Sequence, residues 1–195
     1  MKFPASSTGK TVQIAFKTEN ALYENIESDH EFLKLHSILA CVELKLASSR
    51  ATDKLERAAP SITPTLRGAN ASLTPNAQRE RNVKHLNTVL QWLREVKKVK
   101  RILKLVIKDN QDFQCEDEII EECLKGWDIR CLDWNKQNLS IETIKRGEAG
   151  KLVELWLTWN GQNSCLVGWS DPEFGLKRML PKVCSHYRYF CSDLS

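Results

Sequence analysis

Between Val99 and Trp159 this chain alternates apolar β-type runs with helical patterns, and no other feature constrains its fold as much. Ile102-Leu-Lys-Leu-Val-Ile107 precedes a helical stretch from Cys115 to Lys125. Ile129-Arg-Cys-Leu-Asp-Trp134 precedes a short helix carrying Ile141 and Ile144, and Leu152-Val-Glu-Leu-Trp-Leu-Thr-Trp159 follows. Such alternation marks βαβ units, whose parallel strands lie side by side through right-handed crossovers. The helix ends agree. Glu116-Asp-Glu118 sits in a first turn, where the dipole favours anions, and Gly126 is a natural stop. Ser140 or Asn138 caps the second helix, and Gly147 and Gly150 end it.

Strand starts near Ile102, Ile129 and Val153 are spaced by 27 and 24 residues. That is close to the period of a leucine-rich-repeat solenoid, one strand and one helix per unit. The repeat consensus, its Asn ladder in particular, is not evident. The expected fold is α/β: an irregular leucine-rich-repeat-like or small parallel-sheet array of strand-helix units over residues 82–180, beside a separate N-terminal helical segment.

In that segment, residues 1–47, Thr11-Val-Gln-Ile-Ala-Phe16 alternates like a strand. Ser28-Asp-His-Glu31 has the form of a capping box, and Phe32, Leu35, Leu39, Val42 and Leu46 recur at steps of three and four. The spacing predicts an amphipathic helix from about Asp29 to Ala47. Pro60, Pro64 and Pro75 make residues 48–81 a flexible linker. Asn82 is placed to cap a helix reaching about Lys98, with Leu86, Val89, Leu90, Leu93 and Val96 forming its apolar face and Trp92 at the flank of that face. Ser164 to Trp169 reads as a further short strand. Residues 181–195 show no period and are expected to be disordered. Val183-Cys184 is a dipeptide that GTATGT, a splice-donor sequence common in fungi, can encode, and the expectation is a tail of translated intron with further coding sequence downstream.

No apolar run approaches the roughly 18 residues that cross a bilayer, and the first residues lack a signal-peptide core, so the expected location is cytoplasmic. Seven cysteines, an odd number without a Cys-x-x-Cys pair, fit reduced thiols used as small core hydrophobes. The net charge of +4 is uneven. Residues 82–110 carry eight Lys/Arg against two Asp/Glu, and residues 111–150 five against ten. Solvated helix faces of opposite sign explain this more simply than a nucleic-acid surface, because no aromatic-basic interleaving accompanies it.

Motifs for chemistry are weak. Ser6-Ser-Thr-Gly-Lys-Thr11 resembles the end of a phosphate loop, but Pro4 stands where a Gly is required. Cys184, His186 and Cys191 lack the paired spacing of a zinc site. Glu118, Glu121 and Glu122 lie on one helical side, as a solvated face does. Cys115, Cys123 and Cys131 read as core. Trp156 alternates out of phase with Val153, Leu155 and Leu157, which makes it the leading candidate for an exposed protein contact, with Trp92 second.

His85-Leu-Asn-Thr-Val-Leu-Gln-Trp-Leu93, Val99-Lys-Arg-Ile-Leu-Lys-Leu105, Glu118-Ile-Ile-Glu-Glu-Cys-Leu-Lys-Gly126, Leu132-Asp-Trp134, Asn138-Leu-Ser-Ile141 and Leu155 to Glu173 together resemble the region ahead of the peptidase domain in fungal intracellular subtilisin-like serine proteases. The resemblance covers about residues 84–173 and implies an accessory role. The family's Asp, His and Ser motifs are absent, and none of His30, His36, His85 and His186 is followed by Gly. No catalytic residue carries over. The expectation is a non-catalytic accessory, regulatory or protein-interaction module, a truncated product with a protein partner and no cofactor, metal or membrane. The alternatives are a serine endopeptidase by family membership and a basic nucleic-acid-binding module through residues 82–110.

Overall fold

A computed structural model describes residues 13–17, 26, 31–46, 75–111, 113–147, 151–179 and 184–189. Six strands, β1 (Gln13–Lys17), β2 (Ile38–Lys45), β3 (Arg101–Lys108), β4 (Asp128–Gln137), β5 (Glu154–Trp159) and β6 (Cys184–Tyr189), form one all-parallel sheet in chain order. The helices between them are α1 (Pro75–Glu95), α2 (Asp117–Leu124), α3 (Ile141–Arg146), α4 (Asn163–Ser170) and α5 (Leu176–Met179). When right-handed crossovers always advance to the next strand, every helix lands on the same face. The contacts agree: α1 packs on α2, α2 on α3, and α3 on α5. The described residues form two layers, and among them one face of the sheet carries no helix.

In-register layers build the core. Leu39, Ile102 and Ile129 are partners on neighbouring strands, as are Val42, Leu105, Leu132 and Leu155, and then Leu44, Ile107 and Trp134. All are 2% exposed or less and belong to one apolar cluster with Leu86, Leu93, Ile120 and Ile144 from the helices. Burying each such side chain contributes roughly 1.5–3 kcal/mol.

The layers also show a repeat. Ile102-x-x-Leu105-x-Ile107-x-x-Asn110 and Leu152-x-x-Leu155-x-Leu157-x-x-Asn160 follow the leucine-rich pattern, and Ile129-x-x-Leu132-x-Trp134-x-x-Gln137-x-Leu139 follows it with Gln in the amide position. At the strand ends a chain of amides joins successive units. Gln111 Nε2 donates to Asn135 O at 2.9 Å, Gln137 Nε2 to Gln111 Oε1 at 3.0 Å, and the Asn160 N–H to Asn138 Oδ1 at 3.4 Å. The strand part of the consensus is therefore present, while the Asn110 and Asn160 side chains accept from Phe113 and Gln162 of their own units and form no Asn ladder among the described residues.

Five expectations change. The predicted helix at 29–47 contains β2 instead, which pairs with both β1 and β3. The sheet therefore runs through the boundary expected near residue 80. Helix α1 begins at Pro75, so Asn82 lies within it, buried, instead of capping it. Ser164 to Trp169 is helical, and Cys184–Tyr189 within the expected tail is strand β6. Ser140 does cap α3, its side chain accepting from the Glu142 N–H at 3.2 Å. The phosphate-loop-like stretch, the Ser28 box, residues 48–74 and Cys191 lie outside the described residues.

Candidate functional site

Side chains alternate across a strand, so residues of β2 to β6 are divided between the helix-covered face and the face on which no helix is described. Register sets Glu43, Val106, Asp133, Trp156 and His186 in one row across β2 to β6. A neighbouring row runs Cys41, Lys104, Cys131, Glu154 and Cys184. Val106 and Cys131 are buried but stand outside the main core cluster.

Trp156 is the centre of this face. Its Nε1 donates to Glu154 Oε1 at 2.7 Å. The His186 ring stacks on it, with centroids 4.4 Å apart and planes 17° from parallel. The Arg188 guanidinium carbon lies 5.1 Å from its ring centre, and Arg188 also pairs with Asp133 at 2.9 Å. Beyond this group, Lys108 pairs with Glu43 at 2.8 Å. An aromatic ring held among charged side chains at an accessible surface is a common anchor for protein recognition.

Among the described residues, the thiol, imidazole and carboxylate nearest one another on this face do not line up as a relay. Cys184 Sγ lies 3.8 Å from His186 Nε2, and Glu154 Oε1 lies 3.4 Å from that same nitrogen. A nucleophile-base-acid relay needs the two groups on different ring nitrogens. The thiols of Cys41, Cys115, Cys123 and Cys131 are poor nucleophiles. Burial, then Glu154, pushes the Cys131 thiol up to about 11, and burial raises Cys41. Burial, then Glu122, pushes Cys123 up to about 12, and burial raises Cys115 further, helped by Asp109. All stay protonated near neutral pH.

Of the predicted contacts, Trp156 is on the open face, half-buried. Trp92 is 3% exposed and packs in the core, so it is withdrawn as a surface contact. Glu118 and Glu122 are exposed, while Glu121 pairs with Arg146. Sequence reading missed His186 and Arg188, which come from β6. Their alternation in Cys184-Ser-His-Tyr-Arg-Tyr189 was the available signal. An open groove of about 480 Å³ between α1 and α2, lined by Arg79, Val83, Glu116 and Ile119, lies on the other side of the molecule. Among the described residues no three His, Cys, Asp or Glu side chains are grouped to hold a metal, and no helix is long and apolar enough to cross a membrane.

No protein family, no curated protein and no solved structure matches the chain. The α/β parallel array of strand-helix units stands on the structure itself.

Proposed function

We propose that the chain is a non-catalytic protein-interaction module whose partner lies on the helix-free face around Trp156. One observation carries the reading: among the described residues the sheet is covered on one side only, and its open side carries a tryptophan contacted by His186, Arg188 and Glu154. Such a face offers a rigid floor with several kinds of side chain, and it supplies no activated nucleophile or acid-base pair. We further propose, on the resemblance of residues 84–173, that the module regulates or accompanies a subtilisin-like peptidase of fungal type.

Random peptides displayed on phage and selected on the full chain test the first proposal. Selected peptides are expected to bind at least about tenfold more weakly to Trp156→Ala, with the melting temperature nearly unchanged. Equal binding to the variant would overturn it, as would stoichiometric labelling of the chain by a fluorophosphonate. A genomic frame downstream of Val183 that encodes no peptidase would remove the second proposal.

A further inference from the structure

The end of the sheet at which strands begin is both basic and apolar. The segments leading into β2, β3, β4 and β5 (residues 31–38, 94–103, 125–130 and 151–153) hold nine lysines and arginines against three carboxylates. Of the eight large apolar side chains exposed among the described residues, five lie there: Phe32, Ile38, Val96, Leu103 and Val153. The register interleaves the two kinds. Ile38 is the partner of Arg101, and Arg101 of Asp128. One row along, Leu103 stands beside Arg130, whose carbonyl accepts from the Val153 N–H at 2.8 Å.

Three cations converge on one acid at this edge. Asp128 has Arg101 Nε at 2.6 Å, Arg130 Nε at 3.5 Å and Lys151 Nζ at 3.6 Å. Burial works to raise its pKa, and the Arg101 hydrogen bond with the three positive charges outweighs burial, so the carboxyl is held below its usual range. One carboxylate cannot neutralise three cations. Their side chains remain 37%, 40% and 64% exposed, within reach of a second anion.

We propose that this strand-start edge docks an acidic segment of another protein, one in which Asp or Glu alternates with apolar residues. Its carboxylates meet Arg101, Arg130 and Lys151, and its apolar side chains cover Ile38, Leu103 and Val153. Guanidinium groups anchored by Asp128 present the planar, fixed donors that carboxylates fit. Mobile lysines would suffice for a lipid surface, whereas these cations are positioned. Four of the five exposed apolar side chains at this edge are aliphatic and only Phe32 is aromatic, whereas single-stranded nucleic acid needs successive aromatic stacking platforms. The edge is separate from the face around Trp156 and does not depend on it.

Fluorescence anisotropy on the full chain, with a labelled peptide of alternating Glu and Leu, tests this. Polyglutamate, a single-stranded oligonucleotide and phosphatidylserine vesicles are the comparators. The alternating peptide is expected to bind best. Lys100→Glu with Lys151→Glu, both at exposed positions, is expected to weaken it about tenfold, Leu103→Ser severalfold, and Trp156→Ala not at all. Carbodiimide crosslinking to the unaltered chain, mapped by mass spectrometry, should place the peptide's carboxylates on Lys151 or Lys100, which needs no variant to fold. Absence of peptide binding at low salt, indifference to the charge reversals, or equally tight binding of oligonucleotide or vesicles would overturn the proposal.

Discussion

Trp134 and Trp156 stand on neighbouring strands and on opposite faces of one sheet. Trp134 is fully buried, and its Nε1 donates to the buried carboxylate of Asp109 at 3.0 Å. Trp156 is half-buried and touches only polar and charged groups from its own strand and β6 among the ring contacts and hydrogen bonds described. The same residue type fills volume on one side and presents a surface on the other. In a one-sided sheet, consecutive residues of a strand are divided between stability and recognition, and a single step in register exchanges the roles.

That contrast is open to attack, first at its largest expected effect. Trp134→Ala should cost about 3–5 kcal/mol, read as a shift in urea midpoint, because it leaves a cavity and strips Asp109 of a donor. A loss below about 1 kcal/mol would mean the covered side is not tightly packed. His85 on α1 sharpens the picture by pH. Burial lowers its pKa from 6.5 to about 4, so the fold favours the neutral ring. Its contribution is present above pH 6.5, is lost as pH falls from 6.5 towards 4, and levels off below; the whole loss is up to about 3 kcal/mol. His85→Gln should flatten stability measured across that window. Within the helix layer, Gly147→Ala would put a Cβ 2.8 Å from Leu124 Cβ, where α3 ends against α2. A cost of about 1–3 kcal/mol by thermal melting is expected. The smallest effect is Trp156→Ala, at under about 1 kcal/mol in the same urea titration. Equality with Trp134→Ala would make the open face a second core.

Much of the array from β3 to β5 was legible, because strand and helix periods switch there and Asp117, Ser140 and Gly126 mark the ends. Strand β2 was not. Leu39, Val42 and Leu46 satisfy a helical spacing, yet Leu39-x-x-Val42-x-Leu44 is also the strand pattern of the repeat. Pairing with β1 and β3, which a local window cannot see, decides between them. The short apolar run 163–170 carries the opposite ambiguity and resolved as helix α4. Trp156 was readable from alternation alone. Its companions His186 and Arg188 alternate too, but β6 is short and polar, with no apolar residue alternating to mark an inward face. Trp92 failed as a contact because it is drawn into the apolar cluster, 3% exposed, with Lys97 Nζ 5.1 Å from its ring centre.

The spatial sequence of strands equals their sequence in the chain. As a ribosome releases the polypeptide, each new strand can therefore be added beside its immediate predecessor, and no finished pair has to reopen to admit a latecomer.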